Sequence, residues 1–149
     1  IAQLADAFYI GGTKVGALFG EAVVITNPTL VRNLFPLVKQ HGALLAKGRL
    51  LGIQFETLFD GGLYFEIGRH AVELALKIRD AFAQRGYQVV VPSTTNQQFF
   101  RLPNSLIDRL SKSVSFELWG ARGKEESIVR FVTSWATTSE SVDKLIALL

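Results

Sequence analysis

Lys14 is the single cation in a run of small and apolar residues, Gly11, Gly12, Thr13, Val15, Gly16 and Ala17. Lysine is normally a solvated surface charge, and these neighbours give it little polar cover while letting another group approach closely. A lysine held out of water gives up its proton more readily, and the neutral amine can form a Schiff base. The competing reading is a loop lysine between two core strands. Arg130 is the second such residue, set in a strand-like run with Ile128 and Val132 on its own face and Val129, Phe131 and Thr133 on the other. A guanidinium in that company is costly unless paired, and its planar fork matches a carboxylate in two parallel bonds. That carboxylate is either a ligand or a structural partner such as Glu117. Lys47 and Arg49 lie in QHGALLAKGRL, an otherwise small and apolar stretch. His41 and His70 are far apart and lack a ligand spacing, and with no cysteine there is no thiolate site, so no metal is expected. His41 reads as a cap or surface histidine.

Elements must hold these groups in place. The runs Ala7 to Ile10 and Ala22 to Ile25 read as strands that bracket the lysine segment. Thr26-Asn27-Pro28 is a helix start, followed by Leu30, Val31, Leu34, Leu37 and Val38 on one face, with Pro36 expected to kink or break the helix. A second helix is expected from Ala43 to Phe59, ending at Gly61-Gly62. From Leu63 to Arg85 the apolar spacing is strongly helical, Glu73 and Lys77 offer an i,i+4 pair, and Gly86 reads as the C-cap.

The final third changes character. Tyr87 to Val91 and Gln97 to Leu102 read as strands, Leu106 to Ser111 as a short helix, and Val114 to Trp119 and Ser127 to Ser134 as two more strands. Ser139 caps a last helix that buries Val142, Leu145, Ile146 and Leu149. This order, β-β-α-β-β-α, predicts a small α+β domain with helices on one face of a mainly antiparallel sheet. Trp135, at a strand end, reads as core packing rather than the wall of a substrate pocket.

Composition narrows the function classes. At 149 residues and 48% hydrophobic, with 11 Phe, the chain has ample material for a core. Sixteen basic against 13 acidic residues give +3, and the basic ones are scattered, which argues against nucleic acid as a partner. No apolar run approaches the roughly 20 residues that span a membrane, and no signal peptide is evident. A soluble, cytoplasmic protein is the expectation, and the lack of cysteine fits it. The chain opens at Ile1 inside a patterned segment and contains no Met. It is therefore expected to be a piece of a longer protein.

Asp6 to Ile25 resembles the region around the cofactor lysine of the pyridoxal-phosphate (PLP)-dependent β-eliminating lyases, in particular their threonine aldolase-like branch. There a strand, small residues, Ser/Thr, Lys, Gly and a second strand follow in that order. The likeness runs on to VRFVTS, Val129 to Ser134, which is similar to that branch's arginine-bearing strand. The resemblance implies an α/β fold, the C-terminal part of an aspartate-aminotransferase-like (fold-type I) enzyme ending in the small α+β domain. Residues 1–62 would close the large PLP-binding domain, 63–86 form a connecting helix, and 87–149 make the small C-terminal domain.

By the same resemblance Lys14 would hold pyridoxal 5'-phosphate as a Schiff base. Thr13 would contact the cofactor phosphate or simply keep the turn small. Lys47 would reach the cofactor phosphate of a neighbouring subunit, although the family's Met-Arg-Gln signature is absent there and a solvated helix lysine is the alternative. Arg130 would bind the α-carboxylate of the amino-acid substrate. Where the family strand usually continues with His and Asp, this chain has Ser134, Trp135 and Ala136, which bears on substrate choice. The implied activity is aldol cleavage of a threonine-like β-hydroxy amino acid to glycine and an aldehyde, in a homodimer or homotetramer with shared active sites. The missing N-terminal half would supply the phosphate turn, the ring-stacking group and the aspartate on the pyridine nitrogen, so this piece alone is expected to be inactive. The alternatives are another PLP-dependent lyase or aminotransferase, a non-catalytic carboxylate-binding module, and a purely structural domain.

Overall fold

The computed structural model describes all 149 residues, which form two compact units, Ile1–Tyr64 and Phe65–Leu149. In the first unit, β1 (Ala7–Gly11) and β2 (Glu21–Ile25) pair antiparallel, with Ala7 opposite Ile25 and Gly11 opposite Glu21. The loop between them carries Lys14. Asn27 then caps a 3-10 turn, Pro28–Val31, its side chain accepting from the Thr29 N–H at 3.0 Å. Two helices follow, α1 (Leu34–Gln40) and α2 (Arg49–Phe59).

Two expectations for this unit change. Pro36 does not break α1, because it sits in the first turn, where backbone N–H groups have no intrahelical acceptor. The break falls at Asn33, which takes a left-handed conformation with φ 64°. The second helix begins at Arg49 instead of Ala43, directly after Gly48, since glycine is a poor helix former. Among the apolar side chains of this unit only Val15 and Leu58 are fully buried. A two-stranded ribbon has little core of its own.

The second unit is organised on α3 (Leu63–Gln84), which starts two residues before the boundary and ends at Gly86, φ 81°. There the Tyr87 N–H donates to the Phe82 carbonyl at 3.1 Å and the Gly86 N–H to that of Ala83 at 2.9 Å, closing the helix C-terminus. Strands β3 (Gln88–Val91), β4 (Gln97–Pro103), β5 (Glu117–Leu118) and β6 (Glu126–Val132) form one antiparallel sheet in the order β3-β4-β6-β5. Helices α4 (Asn104–Leu110) and α5 (Ser139–Ala147) complete it.

Alternation along the strands sorts the residues. Phe100 and Leu102 of β4 and Val129 and Phe131 of β6 are buried against Leu74, Ile78 and Phe82 of α3, Leu106 and Leu110 of α4, and Val142 and Leu145 of α5. Phe82 stacks on Phe100 with ring centres 4.3 Å apart. The helices thus cover one face, and Phe99, Arg101, Ile128, Arg130 and Val132 occupy the other. The expected strand over Val114 to Trp119 shrinks to two residues, Glu117 and Leu118. Thr138, not Ser139, caps α5, its hydroxyl accepting from the Ser141 N–H at 3.2 Å. Lys77 pairs with Asp143 at 2.6 Å, across to another helix rather than along its own to Glu73. Trp135 lies in a turn and is 54% exposed, so it is not core packing in this chain.

Candidate active-site elements

The lysine loop is held tightly. Gly12 accepts two backbone hydrogen bonds, from Val15 at 3.1 Å and Ala17 at 3.0 Å, which wind Thr13–Val15 into a 3-10 turn ended by Gly16 at φ 100°. A Cβ on Gly12 would come within 2.7 Å of the Ala17 Cβ and 3.0 Å of the Phe55 ring. The loop therefore needs glycine there for room. Gln54 of α2 pins its far side: the Leu18 N–H donates to Gln54 Oε1 at 2.7 Å, and Gln54 Nε2 donates to the Phe19 carbonyl at 3.3 Å. Tyr64 donates to the Gly11 carbonyl at 3.3 Å.

Within this frame Gly12 and Val15 turn inward, and Thr13 and Lys14 stay exposed. The small apolar neighbours expected to strip water from Lys14 do not do so within this chain, because they form the turn beneath it instead of a cover. Its amine is in none of the chain's four ion pairs. Lys47 is likewise exposed, in the turn that leads into α2.

On the second unit, β6 is paired on both sides at Arg130, which faces Phe99 of β4 and Glu117 of β5. Its side chain is 23% exposed. Nη1 donates to Gln97 Oε1 at 3.1 Å, Nη2 pairs with Glu117, and the guanidinium carbon lies 4.9 Å from the centre of the Trp119 ring, which in turn meets Phe99 edge-on. Nε is buried without a partner. Of the two partners weighed for Arg130 on sequence, Glu117 holds it in the structure, with Nε left over.

Comparison with known proteins gives this geometry a context. No protein-family model matches the chain. It is similar to the low-specificity L-threonine aldolase of Pseudomonas sp. (strain NCIMB 10558), 28% identical over 144 residues that cover 95% of this chain and 40% of the relative. The Pseudomonas aeruginosa protein of the same name is 28% identical over 141 residues, again covering 40% of its length. The structure of the Leishmania major threonine aldolase superposes with a TM-score of 0.93 at 39% identity, over 99% of this chain and 43% of that one. The chain is threonine aldolase-like. It spans about 40% of the length of the curated relatives it matches. An 8-amino-7-oxononanoate synthase from Francisella tularensis shares the fold alone, at 14% identity and a TM-score of 0.62 over 87% of this chain and 40% of that one. The fold of the threonine aldolase-like chain is that of the fold-type I PLP enzymes, as its resemblance implied.

The residues present fit PLP. An unpaired primary amine on a turn fixed by two backbone bonds suits a covalently held aldehyde, and Thr13 sets an exposed hydroxyl beside it. Sequence reasoning passed over Gln54, Gln97 and Trp119. A glutamine between Ile53 and Phe55 on a helix otherwise rich in apolar residues was the one signal for Gln54. Nothing local marked Gln97 or Trp119, whose part depends on strand register.

Proposed function

We propose that the complete protein is a PLP-dependent lyase that cleaves threonine-like β-hydroxy amino acids to glycine and an aldehyde. The close superposition on the Leishmania major threonine aldolase carries this reading. Bound PLP supplies an electron sink for the charge that develops at the substrate Cα. Lys14 holds the cofactor covalently through its amine, on a turn too tight to wander. Thr13 donates its hydroxyl to the phosphate, and Lys47 adds a positive charge for the phosphate of a neighbouring subunit.

Arg130 grips the substrate α-carboxylate. Its stem is fixed in β6 between two paired strands and its guanidinium lies over Trp119, so the charge is delivered from a rigid element. Fixing the carboxylate orients the bonds around Cα and so helps select the one that breaks. Residues 1–62 belong to the large domain and 87–149 to the small one, and 63–86 is the helix that connects them while packing into the small domain's core. Sites shared between subunits call for a homodimer or homotetramer, and the cysteine-free composition suits the cytoplasm.

The experiment is borohydride reduction of the complete holoenzyme followed by digestion and peptide mapping. The pyridoxyl group is expected on Lys14, and its recovery on another lysine would remove Lys14 from the mechanism. Product analysis separates aldol cleavage, which yields glycine and an aldehyde, from elimination, which yields a keto acid and ammonia.

A further inference from the structure

We infer that Glu117 is a carboxylate gate on Arg130: it occupies the guanidinium in the resting protein and must be displaced by the substrate's carboxylate. The inference rests on the reading of Arg130 as the carboxylate site and adds to it a residue that tunes affinity and selects among anions.

The guanidinium geometry carries the argument. A carboxylate can bind an arginine in two parallel bonds through Nη1 and Nη2 at the end of the fork, or through Nε and Nη2 at its side. Both grips share Nη2, and Nη2 is the nitrogen that pairs with Glu117. Gln97 holds Nη1 at 3.1 Å, which fixes the orientation of the fork without adding charge. Trp119 lies against the guanidinium at 4.9 Å. An incoming carboxylate thus meets a like charge at the one nitrogen that every two-bond arrangement needs.

Glu117 is built to leave. Its side chain is 63% exposed against 23% for Arg130, so it can swing into water while the arginine stays in place. It sits on the two-residue strand β5, the shortest of the sheet and one of its two edges. The resting pair also leaves Nε buried and without an acceptor. A substrate carboxylate that displaces Glu117 and uncovers Nε can take Nε and Nη2 together and satisfy that donor, a gain that an anion able to reach only one nitrogen does not obtain. Glu117 therefore disfavours weakly held anions more than the cognate amino acid.

The test uses the complete holoenzyme with threonine as substrate and propionate, a bare carboxylate, as competitive inhibitor. Glu117→Gln keeps the shape and removes the charge. Displacing one partly exposed ion pair is worth about a five-fold change in binding. The variant is expected to lower the KM for threonine and the propionate inhibition constant each about five-fold, since both ligands carry a carboxylate that takes two nitrogens, with a smaller change in kcat. Glu117→Asp, which keeps the charge, is expected to stay near the wild type in both. An unchanged or raised KM in Glu117→Gln overturns the gate, including the case in which only thermal stability falls, as a purely structural ion pair would give. Arg130→Lys is measured in parallel. If it raises KM while Glu117→Gln does not lower it, the gate fails and Arg130 keeps its role. If Arg130→Lys leaves both KM and kcat unchanged, the carboxylate site itself is wrong, and the gate falls with it.

Discussion

The Thr133 hydroxyl donates to the Ala71 carbonyl at 2.6 Å, tying the end of the arginine-bearing strand to the middle of α3. Thr133 is 2% exposed, and its backbone N–H donates to the Asn96 carbonyl at 3.1 Å. Asn96 answers by donating its side-chain amide to the Thr133 carbonyl at 2.6 Å. The exit of β6 is thereby fixed on both sides, three residues beyond Arg130.

Replacing Thr133 with Val keeps the shape and removes the hydroxyl. The expected cost is about 1–2 kcal/mol of stability, the usual loss for a buried hydrogen bond. Urea denaturation should show a lower midpoint with an unchanged slope, and Thr133→Ser should recover most of the loss. A midpoint as in the wild type for Thr133→Val would mean that this bond contributes nothing.

Gly12→Ala tests the lysine turn. The new methyl meets the Ala17 Cβ at 2.7 Å, and neither atom belongs to a flexible side chain, so the turn itself must shift, at an expected cost of about 1–3 kcal/mol. In the complete protein the fraction of subunits carrying a reducible pyridoxyl lysine should fall. Adding Ala17→Gly removes the nearer contact and should restore part of the loading. A single variant that loads and melts like the wild type would refute the tight turn.

Glu140 sets an acid limit on α5. Its carboxyl is held below its ordinary value of 4.5, first by its own backbone N–H and then by the Thr138 side chain at the helix N-terminus. A depressed carboxylate adds stability that is fully present above 4.5 and is lost as the pH falls through the lower, folded value. Glu140→Gln should therefore be less stable than the wild type at pH 7, with the difference closing as the pH drops below that range. Melting curves that differ equally at neutral and acid pH would contradict this.

Much of this was legible along the chain because it is local. The strands around Lys14, the Asn27-Pro28 start, the Gly86 stop and the face of β6 that carries Arg130 all follow from neighbours within a few residues. Pro36 misled because the effect of proline depends on which turn of a helix it enters. The exposure of Lys14 was out of reach, since composition says which residues are near and not whether they lie above or below a side chain. Gln54 is 40 residues from Lys14, and Gln97 is separated from Arg130 by a helix and a strand, so both partners had to wait for the fold.

The register of β6 has a consequence for how this segment can change in length. Arg130 faces outward only because Val129 and Phe131 face the core. One residue inserted inside the strand would turn the guanidinium into the hydrocarbon interior and a phenylalanine toward the outside, losing stability and ligand contact in a single event. The same insertion at the exposed tip of the preceding turn, residues 120–122, would leave Trp119 and the hydrogen bonds of Gly123 in place and be absorbed by the loop. Length variation among functional forms of this protein should therefore gather in that turn and stop at the threshold of β6.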